Sequence, residues 1–149
     1  MFAFFHELAD GLRHHARSRR WPADLALGRR GEDIAHRYLQ RSGIIVVARN
    51  YRAPGGSGEI DLVGWDHGTL VFVEVKSRAS DEYGSPDRAI GREKRERMIR
   101  AARNYARHAD APWENTRFDV VTVVFSTPPM VTHSKDVVRA VRFLWHAGV

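Results

Sequence analysis

The chain has 149 residues, 43% of them hydrophobic, which suits one well-buried domain and is too few for two ordinary ones. It contains no cysteine, which excludes disulfides, thiolate zinc sites and cysteine nucleophiles; nothing requires an oxidising compartment, and cytoplasm is the expectation. A net charge of +6 favours an anionic partner, nucleic acid ahead of a membrane surface.

The opening MFAFFHELADG is apolar for only a few residues and lacks both a preceding positive charge and a small-residue cleavage site. It is expected to be a short appended helix or a loose tail rather than a signal peptide or a membrane span. Residues 1–24, with the basic run RHHARSRR, are therefore set apart as an N-terminal extension, and 25–149 as a single domain. Asp24 is a suitable N-cap, and Ile34, Ala35, Tyr38 and Leu39 recur at helical spacing up to the stop at Gly43, which predicts a helix over 24–41. Gly28 and Gly31 inside it each cost roughly 1 kcal/mol relative to alanine, which points to a close approach by another backbone or a ligand.

IIVVARN, GEIDLVG and TLVFVEVKS then read as three strands, the first two joined by the flexible loop APGGSG and the last two by a hairpin turn at WDHG. Next comes a helix within GSPDRAIGREKRERMIRAARNYARH, whose start is a separate turn around Pro86. Met98, Ala101, Ala102, Tyr105 and Ala109 form its one apolar face. From Arg88 to Arg107 there are eight basic residues against Glu93 and Glu96, so this segment alone carries a surplus of six. TRFDVVTVVF is a fourth strand, STPPM a breaker and DVVRAVRFL a short fifth strand. The order predicts an α/β fold, a mixed β-sheet with helices packed on it.

Two anomalies interrupt this pattern. Glu74 and Lys76 lie in a strand that is apolar on both faces, sharing one face with Leu70 and Phe72 while Val71, Val73 and Val75 share the other. Such strands lie inside covered sheets, where an unpaired charge costs several kcal/mol or more. Asp61 is a similar acid in Ile60–Val63, and either register across the hairpin sets it opposite Phe72 or Glu74. Asp61, Glu74 and Lys76 therefore converge on one face. Two carboxylates in that position call for a divalent cation, Mg²⁺ or Mn²⁺, and a lysine beside it can orient an attacking water. The plainer alternative is a Glu74–Lys76 ion pair where the strand end reaches solvent. Of 24 basic residues 21 are arginine, so a lysine at position 76 is notable: an ammonium is compact and can approach neutrality, whereas a guanidinium cannot.

Asp61, twelve intervening residues and then Glu74-Val75-Lys76 resemble the PD-(D/E)XK nuclease superfamily of restriction enzymes and Holliday junction resolvases. GRRGEDIAHRYL, NYRAPGGSGEIDLVG, VFVEVKSR, YGSPDRAI and RFDVV together resemble the YraN family of uncharacterised bacterial proteins, considered similar to archaeal Holliday junction resolvases. The likeness spans about Leu27 to Phe125. It implies a restriction-endonuclease-like sheet flanked by helices and Mg²⁺-dependent cleavage of structured or branched DNA. It also implies that Glu32 joins Asp61 and Glu74 as a third acid at the metal, with Lys76 completing the catalytic set. Ile60 stands where the superfamily's name pattern has proline.

Arg92, Lys94, Arg95 and Arg103 are the expected nucleic-acid contacts, although Lys94 shares a stripe with Met98 and Tyr105 and either points toward the sheet or snorkels to water. Asp119 reads as the partner of Arg117 or of a neighbouring helix, outside the catalytic set. No histidine has metal-ligand spacing, and the Gly55–Gly58 loop lacks the lysine and serine of a phosphate loop. Two other readings remain: a nuclease-like module that binds nucleic acid without turnover, and a membrane-surface adaptor built on MFAFF and the arginines after it. The active form is open between a monomer and a homodimer.

Overall fold

The computed structural model describes residues 21–56, 58–79 and 91–137. In chain order it comprises α1 (Trp21–Arg41), β1 (Ile45–Arg52), β2 (Glu59–Asp66), β3 (Thr69–Arg78), α2 (Arg92–His108), a 3-10 turn at Trp113–Asn115, β4 (Thr116–Val124) and β5 (Met130–Ser134). The five strands form one sheet in the order β1-β2-β3-β4-β5. Neighbours are antiparallel except β3 and β4, which run parallel because α2 lies between them in the chain. This is the mixed α/β architecture the sequence predicts.

β3 lies at the centre, and a helix covers each face of the sheet. Val71, Val73 and Val75 pack with Ala35 and Leu39 of α1. On the other face, Leu70 and Phe72 pack with Met98, Ile99, Ala101, Ala102 and Ala106 of α2. Phe72, fully buried, has Phe118 at 5.3 Å and the edge of Tyr105 at 6.1 Å between ring centroids. Its burial contributes roughly 1.5–3 kcal/mol. Coverage on both sides accounts for a strand apolar on both faces.

Two glycines set the helix–sheet spacing. A Cβ on Gly31 would lie 3.0 Å from the Cβ of Ser77 and would overlap its hydroxyl, so α1 meets β3 through a position with no side chain. At Gly58, with φ +148°, a Cβ would lie 2.7 Å from the Arg97 carbonyl oxygen, and β2 therefore starts hard against α2. The close approach predicted from the α1 glycines holds at Gly31, where the neighbour is a side chain. At Gly28 nothing among the described residues comes within 4 Å.

Two boundaries differ from the sequence reading, and a third is only partly described. The first described helix runs Trp21–Arg41, so Asp24 stands inside it rather than at its cap. The second helix is described from Arg92, and the expected turn around Pro86 lies outside the described residues. The fifth strand is Met130–Ser134, pairing antiparallel with β4 from Val124↔Met130 to Val120↔Ser134. Of the stretch expected to form it, Asp136, with φ +56°, and Val137 are not strand, and residues 138–149 lie outside the described set. Residues 1–20 lie outside it as well. The edge strands leave Ile45, Val47 and Met130 exposed.

Candidate active site

The β2–β3 ladder runs from the two-residue turn at His67–Gly68 as far as Leu62↔Val73. One step further, Asp61 comes level with Glu74, the closer of the two registers the sequence left open. There the Asp61 carboxylate enters the ladder itself, its Oδ2 accepting the Val75 N–H at 2.8 Å. On its other side, the β1–β2 register sets Asp61 level with Asn50, whose φ of +51° turns the strand. The site therefore sits where the β2–β3 ladder ends and β1 bends at Asn50.

Glu74 is 2% exposed and Lys76 fully buried, so this part of β3 does not reach solvent. An ion partner of Glu74 comes from α2: Lys94 Nζ donates to its Oε1 at 2.6 Å. The plainer alternative placed these charges where the strand end reaches solvent, and their burial excludes that setting. Of the two fates weighed for Lys94, the structure has it pointing toward the sheet.

Asp61 keeps some surface as a residue, but protein surrounds its carboxyl group. Burial pushes the Asp61 pKa well above the usual carboxylate range, and the adjacent negative charge of Glu74 pushes it further, against the Val75 N–H and Lys94. Glu32 also acts to raise it, which brings an acid of α1 into the same field. Burial raises the Glu32 pKa too, offset in part by Asn50 and Arg49. Arg49 reaches Glu32 at 3.7 Å and Asp33 at 2.8 Å. With its amide turned to donate, Asn50 spans Glu32 Oε2 at 3.3 Å and Glu59 Oε1 at 3.2 Å. For Lys94, burial works against its charge, but Glu74, Asp61 and Glu59 outweigh that and its pKa is raised.

Asp61, Glu74 and Lys94 are thus brought together, with Glu32 at the margin. Among the described residues no three acidic or histidine side chains are gathered closely enough to form a cation cage. Glu32 faces Arg49 and Asn50 instead of completing a third side of the Asp61–Glu74 pair. The donors fit Mg²⁺ or Mn²⁺ even so. They are hard carboxylate oxygens, and Mg²⁺ is usually held by one or two carboxylates together with water and substrate phosphate. Sequence reasoning missed Asn50 and Glu59. Glu59 carried a signal, standing two residues before Asp61 on the same strand; Asn50 carried none.

The arginines of α2 differ in kind. Arg92 is exposed and pairs with Glu96 at 3.3 Å, while Arg95 is half-buried. Arg103 lies over the Trp113 ring, 4.7 Å from its centroid, so it also packs the end of the helix. Asp119, fully buried, accepts from Arg117 Nε at 2.9 Å and from the Asp136 N–H at 3.0 Å, and meets His133 Nε2 at 2.7 Å. The Arg117 pairing is as the sequence suggested; the histidine was not foreseen. Burial acts to raise the Asp119 pKa, but these partners outweigh it and the net shift is downward. Asp119 sits level with Val73, on the α1 face of the sheet, away from Glu74.

A family model described as "Uncharacterised protein family UPF0102" matches residues 31–123. The chain belongs to the UPF0102 family. A UPF0102 protein of Solibacter usitatus is 50% identical over 131 residues, covering 88% of this chain and 95% of the relative. One from Koribacter versatilis is 41% identical over 116 residues, with 77% and 80% covered, and one from Paracidovorax citrulli 52% over 100 residues, with 66% and 73% covered. In this UPF0102 member the stretch matched by the family contains Glu32, Asp61, Glu74, Lys76 and all of α2. Among the described residues no helix is long and apolar enough to cross a membrane.

Proposed function

We propose that this UPF0102 member is a cytoplasmic, Mg²⁺- or Mn²⁺-dependent endonuclease that hydrolyses phosphodiester bonds in structured or branched DNA. The observation that carries the reading is the Asp61–Glu74 pair, two carboxylates set level at the end of a strand ladder, with Glu74 raising the cost of charge on Asp61. Asp61 and Glu74 hold the cation. When bound, it offsets their repulsion and polarises the scissile phosphate. Lys76 orients the attacking water and balances charge on the phosphate, and Glu32, with its raised proton affinity, assists from α1. The basic face of α2, with Arg92, Arg95 and Arg103, takes the nucleic-acid backbone, the sequence-independent part of binding.

The test is cleavage of linear, flapped and four-way DNA by purified protein with Mg²⁺ or Mn²⁺. Cleavage that disappears in Asp61→Asn and Glu74→Gln, while both variants hold DNA in chelator as well as the parent, supports the reading. No cleavage of any of these substrates with either metal removes it. A specific observation favours a second reading, a binding module without turnover: the Lys94 ammonium already gives Glu74 a counter-charge. On that reading millimolar metal leaves the melting temperature of the parent unchanged, whereas a metal-binding site raises it by ligand linkage.

A further inference from the structure

The position of Lys94 is odd for its own helix. It is the third residue of α2, in the first turn, where the partial positive charge of the helix N-terminus disfavours a cation, and the N-cap residue Gly91 supplies no side-chain cap. Its ammonium nevertheless turns inward, 2.6 Å from Glu74 Oε1, while 26% of the side chain stays exposed. Local helix electrostatics push it outward; the carboxylates of Glu74, Asp61 and Glu59 draw it in.

We propose that Lys94 is the site's internal counter-cation, which must leave Glu74 for a divalent cation to bind and which then turns outward to meet the nucleic-acid backbone. The inference rests on the metal-binding reading and adds to it a regulated order, metal first and substrate contact second. One oxygen of the Glu74 carboxylate already accepts a short charge-assisted bond, and an ammonium and a divalent cation on one carboxylate repel each other. Part of the Lys94 side chain is already exposed, which gives the ammonium a route outward by rotation of the side chain. Once outside, the ammonium stands beside Arg95 and Arg97 on the basic helix, and its charge passes from the acids of the site to the phosphates of the substrate. In metal-free protein it shields Glu74 and keeps the buried acids from repelling each other unopposed.

The chain has three lysines, Lys76, Lys94 and Lys135, so amine acylation read by mass spectrometry reports on Lys94 directly. Full-length protein is labelled without metal and at Mn²⁺ concentrations shown by calorimetry to saturate it. The expected result is several-fold faster modification of Lys94 with metal, at an unchanged rate for Lys135. In parallel, Lys94→Gln should bind Mn²⁺ about tenfold or more tightly than the parent, since the competing charge is gone. An unchanged Lys94 labelling rate in metal-saturated parent, or parental affinity in Lys94→Gln, overturns the proposal while leaving the metal-binding reading intact. Absence of Mn²⁺ binding in both proteins overturns the two together, whereas binding by the variant alone supports strong competition by Lys94. The labelling arm needs no substitution and decides the matter even if the variant does not fold.

Discussion

Gly28 and Gly31 lie one turn apart on α1, and the structure gives them opposite fates. In a helix interior, exchanging glycine for alanine gains about 0.8–1 kcal/mol through backbone entropy. At Gly28 nothing among the described residues comes within 4 Å of the added methyl, so Gly28→Ala should realise most of that gain. At Gly31 the methyl would sit 3.0 Å from the Ser77 Cβ and overlap its hydroxyl, so β3 and α1 must part or the serine must turn. Overpacking of this kind costs about 1–3 kcal/mol, which leaves Gly31→Ala net destabilising by up to about 2 kcal/mol. At about 3 °C per kcal/mol for a chain of this size, the two variants should move the melting temperature by about 3 °C upward and up to about 6 °C downward. Ser77→Ala placed in the Gly31→Ala background should recover the part due to the hydroxyl. Calorimetric melts of the parent, both single variants and the double variant read all of this. If Gly31→Ala melts as high as Gly28→Ala, the reasoning is wrong and the Ser77 contact does not set the height of α1. The matter bears on function because Glu32 is the next residue, and a lifted helix carries it away from Asp61.

In metal-free protein the raised Asp61 pKa means that the folded state binds more protons than the unfolded state above about pH 4, so stability should fall as pH rises through the shifted value. Glu32 acts in the same direction, whereas the lowered pKa of Asp119 contributes stability that is lost only as pH falls below the ordinary aspartate range. Asp61→Asn should therefore be more stable than the parent at pH 7 by about 1.4 kcal/mol per unit of upward shift, and should fall behind it in saturating Mg²⁺; a lead of the variant that does not grow from pH 4 to 8 in chelator, or that persists in Mg²⁺, refutes this. Replacing Arg92, Arg95 and Arg103 with alanine should reduce the log-log salt slope of duplex binding by about 0.9 per lost phosphate contact, checked by titration across salt. Arg103→Ala alone should also lower the melting temperature, because it uncovers Trp113. Lys76 has no exposed surface, so Lys76→Arg should abolish cleavage in a protein whose circular dichroism still reports a fold. Near-parental turnover would remove Lys76 from the water-orienting role.

The sequence by itself determined the strands β1 to β4, the two amphipathic helices and the shared face of Asp61 and Glu74. These follow from side-chain periods of 2 and 3.6 and from a hairpin whose short turn ties opposing residues together locally. It also exposed the charge anomalies, because an acid or a lysine inside a run apolar on both faces is visible without any partner. It misplaced the fifth strand, since MVTHS has little alternation of its own and is held by the open edge of β4. Only the tertiary structure decided that Lys94 answers Glu74 across 20 residues, that Ser77 fills the space above Gly31, and that His133 meets the buried Asp119. Each of these contacts joins elements brought together by burial of apolar faces, a force without direction that says which faces meet but not which polar atoms then fall within bonding distance. That remainder is fixed by the height and rotation of each helix on the sheet, which depend on steric contacts such as Gly31 on Ser77 and Gly58 on Arg97 rather than on any local pattern of residues.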